Sequence, residues 1–190
     1  MKTAQEPQLD APGAGLPKVE LFLARLLFGR TRKKPRETLN RLFDEERAKI
    51  RALAESAGER ASERVLIDRL RGLEDSSRYW SVWMVLDHLR IVNSEIAGVI
   101  QLLREGKKPD RPASTAAVKP DPGVDAGVVT TFESACDAFM SAVAETPNLR
   151  TNVRFTHPWF GPLNAAEWHA MGAMHMSIHR KQIEAILRKR

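Results

Sequence analysis

The stretch HMSIHRKQIEAIL (residues 175–187) sets two histidines one helical turn apart, and its phase decides how the rest of the chain is read. At about 100° per residue, Asn164, Trp168, Met171, His179, Gln182 and Ile186 all fall within about 40° of His175. Trp168, Met171 and Ile186 are core residue types. The two imidazoles share their stripe and are therefore expected to point into the protein. The flank carrying Arg180 and Glu184 is expected to be solvated. His169, about 120° away on the wheel, is expected to face out.

Outward from this helix, the chain breaks into further amphipathic segments. Asn164 followed by Glu167 forms the start signal for the last helix, with Leu163 and Trp168 placed to staple its entrance. Residues 151–162 read as extended, because Pro158 disfavours helix at His157. Thr130 and Glu133 form a Thr-x-x-Glu capping box for a helix ending near Thr146, with Cys136 on its apolar face as a small core residue. Residues 106–123 hold four prolines and two terminal glycines, a connection long enough to cross a bundle. Ser81 caps a helix over about Val82–Arg104, and Gly106 ends it. A helix over about Arg36–Ser56 carries Leu39, Leu42, Phe43, Ile50 and Leu53 at helical spacing. A second helical piece is expected over about Ala61–Leu73, and a short leading helix over Val19–Phe28. The expected fold is all-α: a four-helix bundle with a long connection between its second and third main helices, plus a short N-terminal helix. Residues 1–16 read as a disordered tail, and 17–190 as one domain with the 106–123 linker inside it.

Composition narrows the class. The 190 residues hold 43% hydrophobic and 28% charged side chains, which suits a single core-forming domain. One cysteine permits no internal disulfide, which fits a reducing, cytoplasmic location. LFLARLLF (residues 21–28) is too short to span a bilayer. The net charge of +6 includes a basic cluster at Arg30–Arg36, but no aromatic residue interleaves it to stack on bases. Neither a membrane nor a specific nucleic acid is expected as a partner.

Two buried imidazoles one turn apart are hard to satisfy with chance hydrogen bonds, but they can converge on one ion. His88 supplies a third, on a helix face shared with Met84, Val85, Ile91, Val92 and Val99. The reading of His88, His175 and His179 as a metal site stands beside two others: satisfied structural histidines, and a metal-free acid–base or anion site. A site of three imidazoles keeps a coordination position open and suits zinc, nickel, copper or iron. His157 could approach the site. Two further polar residues are catalytic candidates. Glu95 lies two turns from His88 on the same inward face, and Gln182 lies one turn past His179, where it could bond a ligand or an outer-shell group. Trp83 sits away from the core stripe. It is expected to pack on the leading helix or, alternatively, on a second copy in a homodimer.

Trp80 and Ser81 opening a helix with Asp87, His88 and Leu89, followed by HPWFGPLNAAEWHAMGAMHMSIHRKQI, resemble the DinB-like superfamily of metal-binding four-helix bundles. The second segment is similar to the HP-x-FG…W…H-x₃-H-x₂-Q pattern of one branch. This resemblance implies a divalent metal, zinc or nickel first, on His88, His175 and His179. It further implies a metal-dependent enzyme using a low-molecular-weight thiol, as a transferase or a related activity such as a hydrolase. The alternative is a non-catalytic, metal-stabilised stress or interaction protein that self-associates.

Overall fold

The computed structural model describes residues 6–189. Five helices run in chain order: α1 (Lys18–Thr31), α2 (Arg36–Ala57), α3 (Val82–Arg104), α4 (Val128–Ala144) and α5 (Ala165–Arg188). Two small antiparallel ladders accompany them. β1 (Val65–Leu66) pairs with β2 (Tyr79–Trp80), and β3 (Phe155–His157) pairs with β4 (Gly161–Leu163). Helices α2 to α5 form the expected four-helix bundle, with α3 against α4 and α5, and α2 against α5. Its centre is a stack of Phe43 on Phe139, 4.4 Å between centroids with planes 8° apart.

Local chemistry sets the helix ends that carry the site. The Ser81 hydroxyl accepts the Met84 N–H and fixes the start of α3. At its other end Gly106 adopts a φ of 74°, and the Lys107 and Gly106 N–H groups return to the Leu102 and Leu103 carbonyls. That is a Schellman close, which needs the left-handed conformation glycine tolerates. Asn164 and Glu167 form the expected reciprocal capping box of α5, with Leu163 and Trp168 both buried around it.

Several expectations are corrected. Residues 61–73 are not a helix: only a 3-10 turn covers 58–62, and β1 follows. The Ile67 N–H instead donates to the Arg78 carbonyl at 3.0 Å, and Gly72 at φ 85° breaks any helical run. The Thr130/Glu133 capping box does not form. Asp125 holds the Gly127 N–H at 2.9 Å, so α4 starts earlier, and Arg47 of α2 takes the Glu133 carboxylate at 2.6 Å. The flank of α5 is not freely solvated, because Arg180 pairs with the buried Glu46 of α2 and with Glu184. Trp83 is half-buried against the core, whereas α1 makes its principal contacts with α5. The tail also needs amending. Residues 1–5 lie outside the described residues, but the Asp10 and Gly13 N–H groups bond the Asp75 and Glu74 carboxylates at 3.1 and 3.3 Å.

Candidate metal centre

Helix α3 delivers His88, and α5 delivers His175 and His179 from adjacent turns. The three Nε2 atoms converge: His175 Nε2 lies 3.2 Å from that of His88 and 3.0 Å from that of His179. One nitrogen from each of the three residues lies within 4.8 Å of the others. Burial pushes the His88 pKa down to about 4 and holds those of His175 and His179 well below the ordinary histidine value, with the neighbouring imidazoles adding to the effect. All three rings are therefore neutral at pH 7.

The outer partners assign the tautomers. His88 Nδ1 sits 2.6 Å from the Val118 carbonyl, which can only accept, so Nδ1 carries the proton. His179 Nδ1 is 2.6 Å from Gln182 Oε1, while Gln182 Nε2 donates to the Ser77 carbonyl at 2.7 Å. With both Nδ1 atoms protonated, the Nε2 atoms of His88 and His179 present bare lone pairs toward His175. A single N–H on His175 Nε2 cannot satisfy both. A cation accepting all three lone pairs resolves the conflict, so the donor set fits a divalent metal. Trp80 walls the site from behind, stacked over His179 at 6.3 Å and tilted to His88 at 5.2 Å.

Residues 27–183 match the DinB superfamily. The chain belongs to the DinB superfamily. A solved structure, TT2238, described as a four-helix bundle protein, is similar at a TM-score of 0.59 and 21% identity, covering 78% of this chain and 98% of that one. At that identity the likeness speaks for the fold alone. No curated protein matches the chain.

In this DinB-superfamily protein the histidines open onto a cavity of about 580 Å³. Its walls are mostly apolar, including Val92, Ile96, Val99, Met171, Met174 and Ile178. The proline-rich connection closes one side, and the β3–β4 hairpin brings Phe155, Trp159 and Phe160 to another. Glu95 lines this cavity and is exposed. It lies toward the solvated side of the cavity wall. Gln182 is fully buried behind His179 and does not line the cavity, so it holds the His179 ring rather than facing the cavity.

Sequence reading missed the role of the connection. Val118 orients His88. The Lys119 ammonium clips the loop down through Glu74 at 2.9 Å, Ser76 at 2.9 Å and Ser77 at 3.1 Å. Asp87, next to His88, accepts the Asp121 N–H at 2.9 Å. These bonds join positions 30 or more residues apart, and no local motif signals them. His157 does reach the cavity wall, where its Nδ1 accepts the Trp159 N–H at 3.0 Å. Cys136 is buried, and burial pushes its thiol up to about 12, which suits the core role expected of it.

His169 overturns its expectation. It is 1% exposed, lies 5.9 Å from the Phe139 ring, and neither ring nitrogen has a hydrogen-bond partner among the described residues. The wheel angle put it outside the site stripe correctly, but α2 and α4 cover that side of α5 too. Burial, then Arg36, lowers its pKa from 6.5 to about 4. The unfolded chain therefore takes up this proton first. The His169 contribution to stability is intact above pH ~6.5 and is lost as pH falls toward ~4, on the order of 3 kcal/mol in all. His169→Leu is expected to raise stability at pH 7 by about 1 kcal/mol, by removing unpaired buried nitrogens, and to flatten the acid-side decline. Urea unfolding at pH 7 and pH 5 measures both. An unchanged pH slope would show that His169 stays solvated.

Proposed function

We propose that this protein is a metal-dependent thiol transferase of the DinB superfamily, with zinc or nickel held by His88, His175 and His179. One observation carries the reading: the Nε2 atoms of three neutral imidazoles converge on one point beside a largely apolar cavity. When bound, the ion supplies Lewis-acid chemistry that favours the thiolate form of a low-molecular-weight thiol in its open position. The cavity holds the apolar part of an electrophile next to that sulfur and excludes water from the reacting atoms. A carbon–sulfur bond would form as the thiol proton passes to a base at the solvated side of the cavity and the electrophile's leaving group, or its opened ring or double bond, takes the electron pair. Glu95, exposed on the cavity wall, is placed to accept the proton or to hold a cationic group of the thiol. Val118 and Gln182 keep the His88 and His179 rings in the tautomer that binding needs.

The test is elemental analysis of the purified protein, followed by turnover of a panel of epoxides, alkyl halides and activated alkenes with several biological thiols. Near-stoichiometric metal and thiol-dependent turnover that disappears on chelation are the expected results. Stoichiometric metal without turnover by any thiol would leave the non-catalytic, metal-stabilised reading in its place.

A further inference from the structure

Six large hydrophobic side chains are exposed among the described residues, and five of them lie on α1: Val19 at 75%, Phe22 at 67%, Leu23 at 41%, Leu26 at 47% and Leu27 at 56%. Their spacing of i, i+3, i+4, i+7 and i+8 puts them on one face, an arc of about 140°. The opposite face is anchored. Phe28 is buried and stacks on Phe160 at 4.5 Å, the Arg25 guanidinium donates to the Trp159 carbonyl at 2.7 Å, and Arg32 pairs with Glu167 at 3.0 Å. The helix is thus held on the fold with its most apolar side turned to solvent.

The charges around this face identify its occupant. The single acid of α1, Glu20, is turned inward, where it accepts the Gly72 N–H and pairs with Arg69. The side chains of Lys18, Arg30, Lys33 and Lys34 are exposed and make no hydrogen bond or ion pair among the described residues. An apolar stripe bordered by unpaired cations, with no outward acid, matches an anionic bilayer surface. The apolar side chains enter the acyl boundary while the lysines and arginine meet lipid phosphates. A second copy fits less well. Pairing two such faces would bring like charges together. A nucleic-acid duplex would use the cations but leave the aliphatic stripe in water.

We infer that α1 is a peripheral docking helix that seats this protein on anionic lipid, lying in the interface rather than spanning it. No helix among the described residues is long and apolar enough to cross a membrane. The inference does not depend on the metal or on any thiol chemistry.

The experiment is co-sedimentation of the full chain with vesicles of phosphatidylcholine alone and of phosphatidylcholine with phosphatidylglycerol, at low and high salt. The wild type is expected to bind the anionic vesicles at least about tenfold more tightly than the neutral ones, and to release with salt. Phe22→Ser with Leu26→Ser is expected to weaken binding by more than about a hundredfold. Lys33→Ala with Lys34→Ala is expected to weaken it by about tenfold. All four positions are exposed, so the melting temperatures should match wild type. The inference would be overturned by no vesicle binding, or by a dimer in light scattering that the Phe22/Leu26 pair dissolves while lipids leave it unaffected. Binding to both vesicle types that is indifferent to salt would also overturn it.

Discussion

Replacing His179 with alanine is expected to lower zinc affinity by more than the ~10–100-fold that accompanies loss of an outer-shell partner. His179 is the ring most firmly placed for a ligand. It is buried, its Nδ1 is tied to Gln182 at 2.6 Å, and its Nε2 faces His175 at 3.0 Å. His175 has no partner at Nδ1, so nothing else compensates for the lost neighbour. Gln182→Leu should fall within the 10–100-fold range, because it frees the His179 ring to rotate and leaves the Ser77 carbonyl unpaired. Competition titration against a chromophoric chelator gives both affinities. Thermal unfolding gives a second readout: zinc should raise the wild-type melting temperature and leave that of His179→Ala unmoved. Equal zinc affinity in wild type and His179→Ala would remove the metal centre and return the three histidines to structural roles.

Gly172→Ala is expected to destabilise the fold by about 2–3 kcal/mol, in a direction opposite to helix propensity. On propensity alone, alanine inside α5 should gain about 1 kcal/mol. Packing reverses the sign. A Cβ at Gly172 would lie 2.6 and 2.7 Å from two ring atoms of Phe139, well inside van der Waals contact. That ring cannot retreat, because its other face is stacked on Phe43 at 4.4 Å and it is fully buried. Relief therefore requires α4 and α5 to part, which also loosens the helix that carries two of the three histidines. Urea denaturation of wild type and variant measures the difference. A stability equal to or above wild type would mean that the bundle centre repacks freely.

Much of the site was legible in the residues. Helical phase alone put His175 and His179 on the stripe of Trp168, Met171 and Ile186, and put His88 among core residues of another helix. Both placements depend only on the 3.6-residue period, which is a local property. The caps at Ser81 and Asn164 were legible for the same reason, since each is satisfied within its own first turn. The capping box at Thr130 failed because Glu133 had a stronger, non-local partner in Arg47. The helix expected at 61–73 failed because a distant segment, Arg78 to Trp80, offered Val65 to Ile67 a ladder. His169 is buried where its wheel angle pointed to solvent, because which sides of α5 are covered depends on where the neighbouring helices lie.

Sequence by itself determined the main helices, their apolar faces and the inward phase of His88, His175 and His179, because periodicity and capping are short-range. Only the tertiary structure decided which side chains lie behind those imidazoles, what walls the cavity and which apolar face stays uncovered. The Val118 carbonyl on His88, the Ser77 carbonyl on Gln182 and the bare stripe of α1 arise from chain segments meeting across 30 or more residues, or failing to meet. Those outcomes are set by the packing of whole elements, on which local pattern carries no information.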